Sequence, residues 1–77
     1  MELSQEQVER NSHIPTAEIE QDIADTEAEI ADLERKAEAY AILGDKMSDF
    51  RRTAALNGIE KRRIFIEKLR ALLNARR

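Results

Sequence analysis

The sequence predicts an all-α fold, in which a short N-terminal helix precedes an antiparallel two-helix hairpin. Two observations favour this fold. Apolar residues recur at helical spacing along most of the 77 residues. Residues 1–45 hold thirteen acids and three bases, a net charge of −10, whereas residues 46–77 hold ten bases and three acids, a net charge of +7. An acidic helix followed by a basic helix favours antiparallel pairing, within one chain or between chains.

The first predicted element is a short helix over about residues 5–11. It opens with a capping-box pattern, because the Ser4 hydroxyl can accept from the backbone of Gln7 while the Gln7 side chain reaches back to Ser4. Pro15 disfavours helical backbone at the residue before it, so the stretch of residues 11–15 is predicted to break this helix.

The second element is a long acidic helix over residues 16–43, with Thr16 as the predicted N-cap. Its inner positions recur in alternating steps of four and three residues, which is the heptad spacing of a coiled coil. The members of this first seam are Ile19, Ile23, Thr26, Ile30, Leu33, Ala37, Tyr40 and Gly44.

The main turn is predicted at Gly44-Asp45. Gly44 can take the left-handed conformation that often follows a helix, and Asp45 can cap the next helix. A basic helix over residues 46–75 should follow, with Met47, Phe50 and Ala54 forming the inner face of its first part. Its second part carries the apolar residues Ile59, Phe65, Ile66, Leu69, Leu72 and Leu73.

Asn57-Gly58 is a second breaker signal. The apolar phase shifts there, because on an ideal helix Ile59 does not fall on the face that carries Ala54. The shift predicts either a kink or a true turn. A kink gives two helices of matching length around Gly44-Asp45. The alternative is one long helix over residues 16–56 with its turn at Asn57-Gly58.

These elements predict one helical-hairpin domain over residues 1–77, made of a short helix and connector at 1–15, an acidic helix at 16–43 and a basic helix at 45–77. Small domains usually need an additional source of stability, such as a disulfide, a metal or a partner chain. The chain has no cysteine and one histidine, so a disulfide is excluded and a metal site is not expected. Oligomerisation is the expected source of stability. Part of the first helix's outer surface is small enough for close approach by another protomer, at Ala24, Ala28, Ala31, Ala39 and Ile42.

Arg62 is the first candidate functional residue. It falls inside the apolar arc of the basic helix, where a charge must snorkel, pair or bind something. A turn at Gly44-Asp45 places it beside Thr26 and near Asp22, Glu27 and Glu29. We expect Arg62 to be mostly buried, hydrogen-bonded near Thr26 and to one of those acids. A polar layer that fixes the register of the hairpin is one interpretation. Recognition of an anionic ligand is the other.

Arginine spacing gives the second candidate. Arg52, Arg63, Arg70 and Arg77 are 11, 7 and 7 residues apart and return to one face of a continuous helix. This stripe either binds phosphate groups or pairs with the acidic helix. The negative net charge and the lack of stacking aromatics among the arginines weaken nucleic-acid binding.

No pattern indicates catalysis. There is no nucleophile–base pair, no metal-ligand set and no glycine-rich phosphate loop. His13 stands alone before Ile14-Pro15 and is predicted to be a loop residue. We therefore expect no enzymatic activity and no cofactor. No apolar run approaches the roughly 20 residues of a membrane span, and the polar N-terminus is unlike a signal peptide. We expect a cytoplasmic protein.

Two functions fit these observations. The first is a small regulatory or inhibitory protein that acts as a homo-oligomer, by protein–protein interaction through its charged helical faces. The alternative is a binder of anionic ligands, nucleotides or nucleic acid, through its arginine-rich helix. In outline, the predicted architecture resembles plasmid copy-control hairpins and phage-encoded cyclic-oligonucleotide sponges. No binding motif of either aligns with this chain, so the resemblance assigns no residues.

Overall fold

A computed structural model describes Glu6 and residues 13–76, which form two long helices joined by a tight turn. Helix α1 covers Thr16–Leu43 and helix α2 covers Lys46–Ala75. The two helices pack antiparallel as a hairpin, as the sequence predicts. The short helix predicted over residues 5–11 lies, apart from Glu6, outside the described residues. In the part of the chain that is described, neither helix is long and apolar enough to cross a membrane.

Helix α1 begins one residue earlier than the predicted cap implies. Pro15 is extended, with φ −61° and ψ 141°, and its carbonyl accepts from the backbone N–H groups of Glu18 and Ile19 at 3.1 and 3.2 Å. Proline presets the backbone for helix entry but offers no side-chain acceptor, and no side-chain cap is formed. Thr16 is therefore the first helical residue, and the prediction that it is the N-cap is wrong.

The main turn lies at Gly44-Asp45. Gly44 is left-handed, with φ 69°, and its N–H donates to the Tyr40 carbonyl at 3.2 Å. Asp45 caps α2, because its Oδ1 accepts from the backbone N–H of Ser48 at 2.6 Å. Each residue has the role that its chemistry predicts. The alternative topology, a first helix over residues 16–56, is wrong because α1 ends at Leu43.

The core follows the heptad seam of α1. Its buried members are Ile19, Thr26, Ile30 and Ala37. Ile30 packs with Ile59 and Ile66 of α2 in a central apolar cluster, and Ile23 and Leu33 pack against that cluster. The Thr26 hydroxyl donates to the Asp22 carbonyl at 2.7 Å, so this buried polar group has its partner within α1.

The inner face of α2 differs from the prediction in its first part. Ser48 and Ala55 are buried, while Met47, Phe50 and Ala54 are exposed. The helix runs through Asn57-Gly58 without interruption, so one continuous phase governs its whole length. The strong apolar positions from Ile59 onward set that phase. Counting back from them in heptad steps reaches 55, 52 and 48, not 54, 50 and 47. The alternative prediction of a turn at Asn57-Gly58 is thus wrong. A kink at these residues stays a prediction, although a single apolar phase along α2 does not need one.

Candidate functional site

Arg62 pairs across the hairpin and is partly buried. Its Nε donates to Glu29 Oε2 at 2.9 Å, and its Nη1 donates to the Gly58 carbonyl at 3.2 Å. Glu29 is one of the predicted partners, whereas Thr26 bonds within its own helix. The side chain keeps 39% of its surface exposed, so Arg62 is partly buried within the hairpin, and burial at a contact between protomers stays a prediction. Arg62 lies at the edge of the seam, where its guanidinium can snorkel outward.

Two members of the arginine stripe pair with the acidic helix. Arg63 Nη2 donates to Glu34 Oε1 at 3.3 Å, and Arg70 Nη2 donates to Glu27 Oε1 at 2.8 Å. All four side chains remain more than half exposed. Exposed pairs of this kind are each worth less than about 1 kcal/mol. These two pairs form a charge ladder between α1 and α2.

Two stripe positions lie outside this ladder. Arg77 is outside the described residues. Arg52 is exposed and, among the described residues, makes no ion pair within 4 Å and no side-chain hydrogen bond. Its position is nevertheless one of the inward heptad steps of α2, because it lies four residues after buried Ser48 and three residues before buried Ala55. Arg52 is therefore an uncompensated cation at the margin of the interhelical seam.

Arg52 borders an open groove of about 580 Å³ between the two helices. Three of the six α1 residues that line the groove are alanines, whose short side chains leave space between the helices. Its apolar lining comprises Ala31, Ala37 and Ala41 of α1 with Leu56 and Ile59 of α2. Its charged margin, besides Arg52, comprises Glu34, Arg35 and Glu38 of α1.

Large apolar side chains are exposed at the turn end of the hairpin. Ile42, Leu43, Met47 and Phe50 expose 85%, 67%, 59% and 72% of their surface. The sequence analysis does not predict this group, the turn-end patch, because the local apolar pattern places Met47 and Phe50 on the inner face. Carrying the heptad phase of Ile59 backwards through Gly58 would have revealed it.

The alanine surface of α1 is also exposed. Ala24, Ala28, Ala31 and Ala39 all lie in solvent, and so does Ile42. Within the described residues, the hairpin therefore leaves the small-residue face of α1 without a packing partner. The acidic residues of α1 are mostly solvated. Asp32 is one of them, and the Lys36 ammonium, assisted by Arg35, lowers the pKa of its carboxyl.

The remaining chemistry of the described chain is sparse. His13 is exposed in the segment before α1, as a loop residue would be. Within residues 13–76 and Glu6, no three His, Asp or Glu side chains are grouped so that they could hold a metal ion. Comparison with protein-family models, with curated proteins and with solved structures finds no match.

Proposed function

We propose that this chain is a non-enzymatic binding protein, a regulatory or inhibitory protein that acts by protein–protein interaction as a homo-oligomer. The observation that carries the proposal is the turn-end patch, whose four large apolar side chains are each at least 59% exposed. Monomeric soluble proteins rarely expose a large cluster of apolar groups, and such a cluster usually marks an interaction site.

Burial of this patch would supply useful binding energy. Full burial of a large apolar side chain is worth roughly 1.5–3 kcal/mol, so four such groups offer several kcal/mol toward association. None of these four side chains belongs to the buried core of the hairpin. Only seven apolar residues are buried among the described residues, which is a small core for independent stability.

Charge adds selectivity to this surface. Helix α1 carries nine acids and two bases, and α2 carries eight bases and three acids. Three ion pairs join the helices. The surplus on each helix stays available to a partner. Complementary charge steers encounter and sets orientation more than it sets affinity.

Anion binding is the second candidate function. Lys46, Arg51 and Arg52 lie in the first two turns of α2, and none forms an ion pair within 4 Å in the described part of the chain. Against this candidate, the guanidinium groups of Arg62, Arg63 and Arg70 are already engaged by carboxylates. Protein binding is therefore the better supported function.

Light scattering tests the first proposal. The mass of the protein should exceed that of the 8.9 kDa monomer and should fall on dilution. Replacing Phe50 by Ser should weaken association or partner binding, because it removes 72%-exposed apolar surface. Phe65→Ser is the matched control, since Phe65 lies on the same helix away from the turn. A concentration-independent monomer with no effect of Phe50→Ser on binding contradicts the proposal.

Thermal melting tests the second candidate function, anion binding. Inorganic phosphate, a nucleoside triphosphate and duplex DNA are added to the isolated protein at low salt. Anion binding predicts a rise in the melting temperature with ligand concentration, and nucleic-acid binding predicts a steep loss of affinity with added salt. Arg52→Gln should abolish such a rise. No rise with any of the three ligands removes this candidate.

A further inference from the structure

We infer that the groove beside Arg52 is a two-fold interface, occupied by the same groove of a second copy of this chain. This inference rests on the homo-oligomeric part of the proposed function. It assigns the contact that pairs two copies to the groove, and the turn-end patch stays available for a protein partner or for further association. The groove contains an apolar recess, an apolar projection and one free charge of each sign. A two-fold interface requires a patch that is complementary to itself, and these features meet that requirement.

The recess is apolar and shallow. Ala37 and Ile59 form its floor, with 7% and 4% of their surface exposed. Ala31 and Ala41 line the side formed by α1. The three alanines that α1 contributes to the lining present only methyl groups to this space. A methyl-lined recess between helices accepts an aliphatic side chain well, since burial of apolar surface is favourable and non-directional.

The projection stands at the edge of the same recess. Leu56 lines the groove and is 44% exposed. It lies one helical turn after Arg52, so the two side chains share one face of α2. With the two copies related by a two-fold axis, Leu56 of each copy enters the alanine recess of the other. This exchange buries both projections and fills both recesses.

Four charged residues border the groove, and two of them are already paired. Glu34 accepts from Arg63, and Arg35 pairs with Asp32. The other two, Glu38 and Arg52, are exposed and make no ion pair or side-chain hydrogen bond in the described part of the chain. One acid and one base thus remain free on one patch.

The signs of these two charges select the occupant. An acidic partner would meet Glu38, and a basic partner would meet Arg52, so each would place like charges together. A second copy places Arg52 of one chain against Glu38 of the other, and the same contact occurs twice across the axis. A two-fold pair therefore neutralises all four charges.

Charge reversal tests this arrangement without an unidentified ligand. Arg52→Glu leaves two acids on the patch, and Glu38→Arg leaves two bases. Each variant alone should associate about tenfold more weakly or worse at low salt, because both contacts become repulsive. An equimolar mixture of the two variants should recover wild-type affinity, because the heterodimer restores both opposite-charge contacts. The double variant, Glu38→Arg with Arg52→Glu, should also associate like wild type.

Lys68→Glu is the matched control, since it makes the same change of charge on α2 at a position that does not line the groove. Sedimentation velocity gives the affinities, and circular dichroism checks that each variant is helical. If a charge variant unfolds, Leu56→Ser is measured in the same assay and should weaken association in the same way.

The outcomes separate the two proposals. If the wild type is oligomeric and Arg52→Glu associates as tightly, or the mixture shows no recovery, the groove is not the interface while the homo-oligomer stands. If the wild type is a monomer at every concentration, both proposals fail. Recovery in the mixture together with loss in each single variant supports the two-fold groove.

Discussion

Arg62 Nε lies 2.9 Å from Glu29 Oε2, so a residue in the middle of α2 is tied to a residue in the middle of α1. The same guanidinium donates through Nη1 to the carbonyl of Gly58 at 3.2 Å. Arg62 therefore bridges the two helices by passing over Gly58, which has no side chain. The missing Cβ of Gly58 provides the room, because a Cβ there would lie 3.2 Å from Arg62 Nη1 and 3.4 Å from Leu33 Cδ1.

Replacing Arg62 by Ala should lower the free energy of unfolding by about 1 kcal/mol, because the lost pair is partly exposed and such pairs are weak. Arg62→Leu should be neutral or stabilising, since leucine continues the apolar seam between Ile59 and Ile66. Urea denaturation measures both. Lys61→Ala is the control, with an expected change within about 0.5 kcal/mol. A loss of about 3 kcal/mol for Arg62→Ala would instead indicate a buried pair.

The two glycines should respond differently to alanine. Gly44→Ala should lower the free energy of unfolding by about 1 kcal/mol, because Gly44 is left-handed and a residue with a Cβ is strained in that conformation. The cost is conformational, since the nearest atom to that Cβ is the Ile42 carbonyl oxygen at 4.0 Å. Gly44→Asn should be milder, because asparagine tolerates this conformation. Equal stability of the alanine variant and the wild type would contradict the left-handed turn.

Gly58→Ala combines two opposed effects. Alanine favours helix by about 1 kcal/mol relative to glycine, whereas the new Cβ crowds Arg62 and Leu33. We expect a net gain below about 1 kcal/mol, since the guanidinium is the movable end of a flexible side chain. In an Arg62→Ala background, where the guanidinium is absent, Gly58→Ala should give the full stabilisation expected from helix propensity. A double-mutant cycle measured by urea denaturation checks this coupling, and additivity of the two changes would contradict it.

The charge ladder should be sensitive to salt. Arg70→Glu removes the 2.8 Å pair with Glu27 and sets two acids together, so it should cost about 1 kcal/mol at low ionic strength. The cost should shrink near 1 M salt, where the screening length falls to about 3 Å. The swap of Glu27→Arg with Arg70→Glu should restore stability. Melting temperatures at low and high salt measure the effect, and a cost independent of salt would argue against the pair.

The cap of α2 should give a pH dependence of known sign. The backbone N–H of Ser48, assisted by its hydroxyl, lowers the pKa of the Asp45 carboxyl from its ordinary value of 3.8. A lowered folded-state pKa contributes stability above the ordinary pKa and loses it as the pH falls through the folded value. At pH 7, Asp45→Ala should melt below the wild type, while Asp45→Asn, which retains an acceptor, should lie close to it.

The gap between the wild type and Asp45→Ala should then narrow as the pH is lowered below 3.8, since protonation weakens the wild-type cap. Melting temperatures from neutral to strongly acidic pH provide the measurement. Comparison of the two proteins at each pH isolates the contribution of the side chain at position 45. A gap that stays constant through this range would show that the Asp45 charge does not contribute to the cap.

Local chemistry made the helices and the turn predictable. The bounds Thr16–Leu43 and Lys46–Ala75 agree with the predicted ranges, because heptad spacing, a left-handed glycine and a capping aspartate are signals carried by short stretches of chain. Glu29 was also among the acids expected near Arg62, since antiparallel packing around Gly44 fixes which residues face each other.

Tertiary packing decided which side of α2 turns inward. Locally, Met47, Phe50 and Ala54 make the more apolar face, yet Ser48 and Ala55 are buried. A helix is rigid in rotation, so the stronger apolar positions after Gly58 set the orientation of the whole element. That rotation leaves the turn-end patch exposed, brings Arg52 to the groove and keeps Arg62 at the solvent margin. The sequence by itself determined the two helices and their turn. Only packing along the full length of α2 decided which surfaces remain for a partner.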